Sequence, residues 1–236
     1  MCASGMKSIM YASQSIMLGH ANCIVAGGME SMTNAPYLLP KVRQGLRYGD
    51  SEVIDSLKRD GLTDAYDGSP MGNCADKTAK DYSFTREEVD KYAIESYNRA
   101  SAATSKGYFK NELISVAIPD KAKGTVYFNE DEEYKNIKMD KIPTLKPAFD
   151  KSGVSTAANS SKLSDGAAAV VVMSEEKAQR AGLKPIARIL GFADAERAPI
   201  EFTIAPADAI PRAIKAAGLK QSDIDYFEIN EAFAVV

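Results

Sequence analysis

Apolar positions along the start of the chain follow a helical period. Met6, Ile9, Met10, Ser13, Ile16 and Met17 recur at steps of three and four, which predicts one amphipathic helix over about residues 3–18. Gly19 follows as its C-cap and leaves His20 just past the helix end. The next run, Cys23-Ile24-Val25-Ala26, is continuously apolar and bounded by Asn22 and Gly27-Gly28, which suits a strand buried on both faces. A helix followed so soon by a strand predicts a parallel α/β sheet, with Cys23 as a packed thiol. The glycine pair admits either the close approach of another backbone or an ordinary tight turn.

From Met29 to about Asp150 the texture changes, with scattered Gly, Pro, Asn and Asp and short apolar runs. This predicts an insertion between two sheet-building regions. One strong helix stands out in it. Thr85-Arg86-Glu87-Glu88 is a capping box, and Val89, Tyr92, Ala93, Ser96, Tyr97, Ala100 and Ala103 share one face ahead of Gly107. Ile114–Ile118 and Thr125–Phe128 read as two strands, and the acidic run Glu130-Asp131-Glu132-Glu133 reads as a solvated face. Lys135, Lys138, Lys141 and Lys146 follow it and are candidates to meet phosphates.

After Gly153 the sheet-building texture returns. Thr156-Ala157-Ala158-Asn159-Ser160-Ser161 is small and polar, and Ala167–Met173 is the longest candidate for a buried strand. A short helix is predicted from Glu175 to Gly182, a strand over Ile186–Phe192, a helix from Pro206 to Gly218 and a last strand over Tyr226–Ile229. A further helix is expected to begin near the last residue, Val236.

Composition narrows the class. The chain has 236 residues, 45% hydrophobic and 26% charged, with a net charge of −3, the profile of a folded globular protein with no general basic field for nucleic acid. No apolar run approaches the span of a bilayer, and no charged-then-apolar segment opens the chain. Three cysteines, Cys2, Cys23 and Cys74, without paired spacing argue for a reducing compartment and against a disulfide framework. His20 is the single histidine, which argues against a zinc site.

Cys2 is the candidate nucleophile. It stands at the mouth of the first helix, where amide N–H groups and the positive end of the helix dipole favour a thiolate. Such a nucleophile normally needs a base within hydrogen-bond reach. If residues 3–18 form one helix, His20 lies roughly 27 Å from Cys2 and is not that base. The residues alone leave two alternatives: the thiol is not catalytic, or the chain is incomplete.

Four motifs in order, Cys2-Ala3-Ser4-Gly5-Met6-Lys7, Val25-Ala26-Gly27-Gly28-Met29-Glu30-Ser31-Met32, Ser164-Asp165-Gly166-Ala167-Ala168-Ala169 and Asn230-Glu231-Ala232-Phe233, resemble the thiolases. Within that family they resemble the acetyl-CoA C-acetyltransferases, including the mitochondrial acetoacetyl-CoA thiolases, along essentially the whole chain. The resemblance implies a partial thiolase fold of class α/β, with mixed sheets flanked by helices. It divides the chain into the remainder of an N-terminal half (1–34), an inserted loop domain that returns to that half near its end (35–150) and the start of a C-terminal half (151–236). It also implies acyl transfer between coenzyme A thioesters: condensation of two acetyl-CoA to acetoacetyl-CoA or the reverse thiolysis, through an acetyl group on Cys2.

By the same resemblance Asn230 orients a water in an oxyanion hole, with Glu231 and Phe233 holding its turn. Tyr97, Asn136, Ile137, Lys138, Lys141 and Ser161 face coenzyme A. A potassium ion sits at Tyr97, Ala157, Ala158 and Ser160, the alanines offering backbone carbonyls. A homotetramer in the mitochondrial matrix is expected, with the cytosol as the alternative, and neither a nucleic acid nor a membrane as partner. The family's catalytic histidine, in a Gly-His-Pro motif, and its second cysteine are expected beyond Val236, and strands ahead of Cys2, so the chain reads as truncated at both ends. Met1 stands where the family continues a strand. Ser69-Pro70-Met71-Gly72 departs from the family, which usually has histidine before the Met-Gly pair. The rival readings are a non-catalytic coenzyme A-binding fragment and a thiolase for longer 3-ketoacyl-CoA.

Overall fold

The computed structural model describes residues 2–236, so the expectation placed on Met1 lies outside it. The chain divides into two compact units, residues 1–74 with 162–229, and residues 75–161 with 230–236.

The first unit is built on helix α1 (Ser4–Met17) and strand β1 (Cys23–Ser31). The helix ends as predicted. Gly19 adopts φ +75°, and the Gly19 and His20 amides bond back to Ile16 and Ser15, both at 3.0 Å, closing a Schellman turn. Strand β1 pairs along its whole length with a later strand, Asp165–Met173, from Cys23 opposite Met173 to Ser31 opposite Asp165. The ladder is antiparallel, which corrects the expected parallel arrangement: a helix followed by a strand constrains a sheet's connection but not the partner that the strand finds.

Burial is also corrected. Within β1 only Ala26 is buried, Val25 and Met29 are exposed, Cys23 is exposed, and most of Asp165–Met173 faces solvent. An apolar run is fit for burial, but it is buried only where another layer covers it. The close approach read into the glycine pair is real. A Cβ on Gly27 would fall 2.1 Å from the Ala168 carbonyl oxygen, and one on Gly28 would lie 3.2 Å from Gly5 Cα, so α1 sits backbone to backbone on β1.

The rest of this unit is short elements. Strands β2 (Tyr37–Leu38) and β3 (Ile54–Asp55) pair antiparallel. Helix α2 (Met71–Asp81) was not foreseen from the sequence, and the two units divide along it at Cys74 and Ala75.

The second unit centres on helix α3 (Arg86–Ser105), whose predicted capping box forms: the Thr85 hydroxyl accepts from the Glu88 amide while the Glu88 carboxylate accepts from the Thr85 amide. Strands β4 (Val116–Asp120) and β5 (Gly124–Phe128) make an antiparallel hairpin that is exposed throughout. Helix α4 (Glu133–Asn136) leads into a 3₁₀ segment, Met139–Thr144, anchored by the fully buried Ile142. The acidic run is only partly a solvated face: Asp131 and Glu132 are exposed, but Glu130 bonds Tyr134 and Lys135, and Glu133 turns toward Tyr97.

Back in the first unit, strand β6 is the Asp165–Met173 partner of β1, and α5 (Glu175–Arg180) and α6 (Pro206–Ala216) start and stop where predicted. Ile186–Phe192 and Tyr226–Ile229 are not strands. Both stretches are rich in exposed apolar side chains, and neither has a ladder partner among the described residues; a strand exists only through its pairing. Ala232–Val236 forms a bridge and a turn in place of the expected helix. No helix among the described residues is long and apolar enough to cross a membrane.

Candidate functional site

Cys2 is exposed, in the turn ahead of α1. The Lys7 amide is bonded to the Ala3 carbonyl at 2.8 Å, which leaves the amides before it at the positive end of the helix dipole. Ala3 occupies the N-cap and provides no side-chain cap. The helix tip is held in place by its seat on β1, where the Ser8 hydroxyl reaches the carbonyls of Gly5 at 2.7 Å and Gly27 at 2.9 Å. Lys7 pairs with Asp194, a hydrogen bond that raises its pKa, and stands 5.1 Å from the Tyr11 ring centre.

Every other predicted site residue belongs to the second unit, and α3 is the element to which their segments are tied. Arg86 lies one turn before Asp90 and donates from Nε to its carboxylate at 2.7 Å. The same guanidinium donates from Nη2 to the carbonyls of Ile142 at 3.0 Å and Leu145 at 2.9 Å. That fork fixes the 3₁₀ segment bearing Lys141. Lys141 is exposed, as are Lys138 and Asn136, and Ile137 between them is half-buried. Further along α3, the half-buried Tyr97 donates to Glu133 at 3.3 Å. Burial first, then the Glu133 charge and this bond, push Tyr97 up to about 12.

Residues 154–161 form a loop cross-braced by Asn159. Its side-chain oxygen accepts from the Thr156 amide at 2.7 Å, and its Nδ2 donates to Asp90 at 2.9 Å and to the Val154 carbonyl at 3.0 Å. Asp76 on α2 accepts from the amides of Val154 at 3.0 Å and Ser155 at 2.9 Å. A Cβ on Gly153 would fall 2.2 Å from Asp76 Oδ2, so the loop's entry needs glycine. Ala157 is exposed, Ala158 is buried, and the buried Ser160 hydroxyl has no hydrogen-bond partner.

The loop is laced to the segment that follows Asn230. The Ser161 amide donates to Ala232 and the Ala234 amide to Asn159, both at 2.9 Å. Asn230 itself is exposed. Next to it, Glu231 accepts from Tyr92 at 2.8 Å and from Ser96, which raises the Tyr92 pKa. Phe233 is buried and packs edge-on against Phe149 at 6.2 Å. Glu231 and Phe233 therefore hold the turn, as expected.

Arg86, Asp90 and Asn159 were not singled out from the sequence, although one signal was available. Arg86, Asp90, Ala93 and Tyr97 are spaced four, three and four apart, so a carboxylate sits in the buried stripe of α3 with a guanidinium one turn away. Pro70, which stands in the family's histidine position, ends the loop before α2, and its carbonyl accepts from the Asn73 amide at 3.0 Å.

The thiolase N-terminal domain family matches residues 1–176 and the thiolase C-terminal domain family matches residues 183–236. The chain belongs to the thiolase family. Among curated relatives of this thiolase chain, a "Probable acetyl-CoA acetyltransferase" of Dictyostelium discoideum is 55% identical over all of this chain and 57% of its own length. The mitochondrial acetyl-CoA acetyltransferase of Rattus norvegicus is 54% identical, over 55% of its own length. The chain thus spans a little over half the length of these relatives. The crystal structure of Acat5 thiolase from Ascaris suum in complex with coenzyme A superposes with a TM-score of 0.91 at 46% identity, over 99% of this chain and 59% of that one. Human mitochondrial 3-ketoacyl-CoA thiolase superposes at 0.93 and 38% identity, with the same two coverages. The expected partial thiolase fold is the fold of the chain.

Proposed function

We propose that this chain carries the acyl-accepting cysteine and the coenzyme A-facing surface of an acetyl-CoA C-acetyltransferase. The observation that carries the reading is an exposed Cys2 at the uncapped tip of a helix seated directly on a sheet backbone. A rigid tip keeps the thiolate and the helix amides aligned on an incoming thioester carbonyl. The Cys2 sulfur bonds to the acetyl carbon, the bond to the coenzyme A sulfur breaks, and the departing thiolate takes up a proton. In condensation, a general base takes an α proton from a second acetyl-CoA, and the carbanion so formed bonds to the acetyl carbon as the bond to the Cys2 sulfur breaks and the Cys2 thiolate leaves. Asn230 serves the second oxyanion through a water.

Coenzyme A lies along Asn136, Ile137, Lys138 and Lys141, with Tyr97 and Ser161 flanking it. The exposed lysine ammoniums suit phosphate groups, and the Ascaris suum relative is a thiolase in complex with coenzyme A. The buried Ser160 hydroxyl without a hydrogen-bond partner supports a potassium ion at the 157–160 loop, where the carbonyls of Ala157 and Ala158 and the Tyr97 hydroxyl would be its further oxygen donors. Such an ion would fix the loop's shape. A mitochondrial location accords with the name of the rat relative, and the assembly expected of the family is a homotetramer. Incubation with acetoacetyl-CoA, with no free coenzyme A to carry the acetyl group away, is expected to leave one acetyl group on Cys2, read by intact-mass and peptide mass spectrometry and absent from Cys2→Ala. An unmodified Cys2 overturns the reading.

The likeness to human 3-ketoacyl-CoA thiolase favours a second reading, in which longer chains are accepted. Faster Cys2 acylation from a medium-chain 3-ketoacyl-CoA than from acetoacetyl-CoA would put that reading first.

A further inference from the structure

Asp90 is buried on α3, and each of its carboxylate oxygens serves a different segment of the second unit. Oδ2 takes the Arg86 Nε–H at 2.7 Å, and Arg86 in turn grips the Ile142 and Leu145 carbonyls. Oδ1 takes the Asn159 amide at 2.9 Å, and Asn159 braces Thr156 and Val154 and accepts from Ala234. We infer that Asp90 is a positioning residue that sets the 3₁₀ segment bearing Lys141 and the 154–161 loop from a single buried carboxylate, so that the two move together when it is altered.

The physical ground is the donor count. Arg86 and the Asn159 Nδ2 present only N–H donors toward Asp90, and a carboxylate is the one side-chain group that accepts from both without donating. The Asp90→Asn change keeps the shape but turns one of the two acceptors into a donor, facing either Arg86 or Asn159. It therefore unpicks one arm and weakens the other. The Arg86→Lys change keeps the charge on Asp90 but loses the planar fork on Ile142 and Leu145, and so loosens the 3₁₀ arm alone.

This inference rests on the proposed function for its ligands, and hydrogen exchange provides a readout that does not. In the 236-residue chain, D90N is expected to speed exchange of the Thr156 and Ala234 amides and of the 141–145 segment, whereas R86K speeds only the last. Calorimetric titration with coenzyme A, in potassium chloride and in choline chloride, is expected to show about tenfold weaker binding for D90N and loss of any potassium effect. R86K is expected to weaken coenzyme A binding while keeping the potassium effect.

A D90N protein that melts lower yet keeps wild-type exchange at Thr156 and Ala234 overturns the inference, because a purely structural residue behaves that way. R86K losing the potassium effect also overturns it. Failure of the wild-type chain to bind coenzyme A overturns the functional reading instead, and the exchange data still judge the clamp.

Discussion

The two units hold themselves together in opposite ways. In the first, α1, β1 and β6 meet through backbone, and a side chain is excluded at Gly27 and crowded at Gly28, where the strand meets Gly5 of the helix. In the second, backbone pairs directly in the β4–β5 hairpin and where the 154–161 loop meets Ala232 and Ala234, but the segments around α3 are joined mainly by side chains: Arg86, Asp90, Asn159, Asp76 and Glu231 reach across and terminate on amides, carbonyls and hydroxyls. One unit is specified by missing atoms and the other by donors and acceptors. Substitutions that add bulk should therefore injure the first, and those that unbalance a polar pair should injure the second.

Arg86→Ala should have the largest effect, since it strands a buried carboxylate; we expect a loss of about 3 kcal/mol in denaturant titration, with exchange rising in the second unit. Gly27→Ala should cost about 2 kcal/mol, because its Cβ would meet the Ala168 carbonyl at 2.1 Å; here exchange should rise across β1 and β6. If Gly27→Ala loosened α3 as much as β1, the contrast between the units would fail. Thr85→Ala should remove about 1 kcal/mol by uncapping α3, visible as faster exchange in its first turn.

The smallest effect concerns pH. Tyr97 titrates near 10.0 when unfolded and at about 12 when folded, so the folded state holds the proton longer and stability falls as pH rises between those values. Tyr97→Phe should flatten that fall in melts taken across the range. An unchanged slope would mean that Tyr97 does not sense its surroundings.

What was legible in the sequence was local. The capping box at Thr85 and Glu88 and the C-cap at Gly19 are set by residues a few positions apart, and both formed as read. Helix α2 was invisible because its buried positions, Cys74, Ala75, Thr78 and Ala79, are small; the helical period is there without the large apolar residues that announce it. Ile186–Phe192 and Tyr226–Ile229 carry strand composition, but a ladder depends on a partner that no single segment encodes. The site divides likewise. The contiguous motifs around Cys2 and Asn230 carry the family, whereas the service Asp90 gives to Asn159 joins residues far apart in the chain and had no local sign.

The β1–β6 ladder also governs the order in which the chain can be assembled. Cys23 must find Met173 and Ser31 must find Asp165, while the whole of residues 75–161 lies between them in sequence. During synthesis β1 leaves the ribosome long before its partner exists, with Val25 and Met29 uncovered. Closing so long a loop costs entropy that only the finished ladder repays. The position of β6 in the sequence therefore predicts slow refolding, with β1 left open to pairing with other chains until β6 arrives.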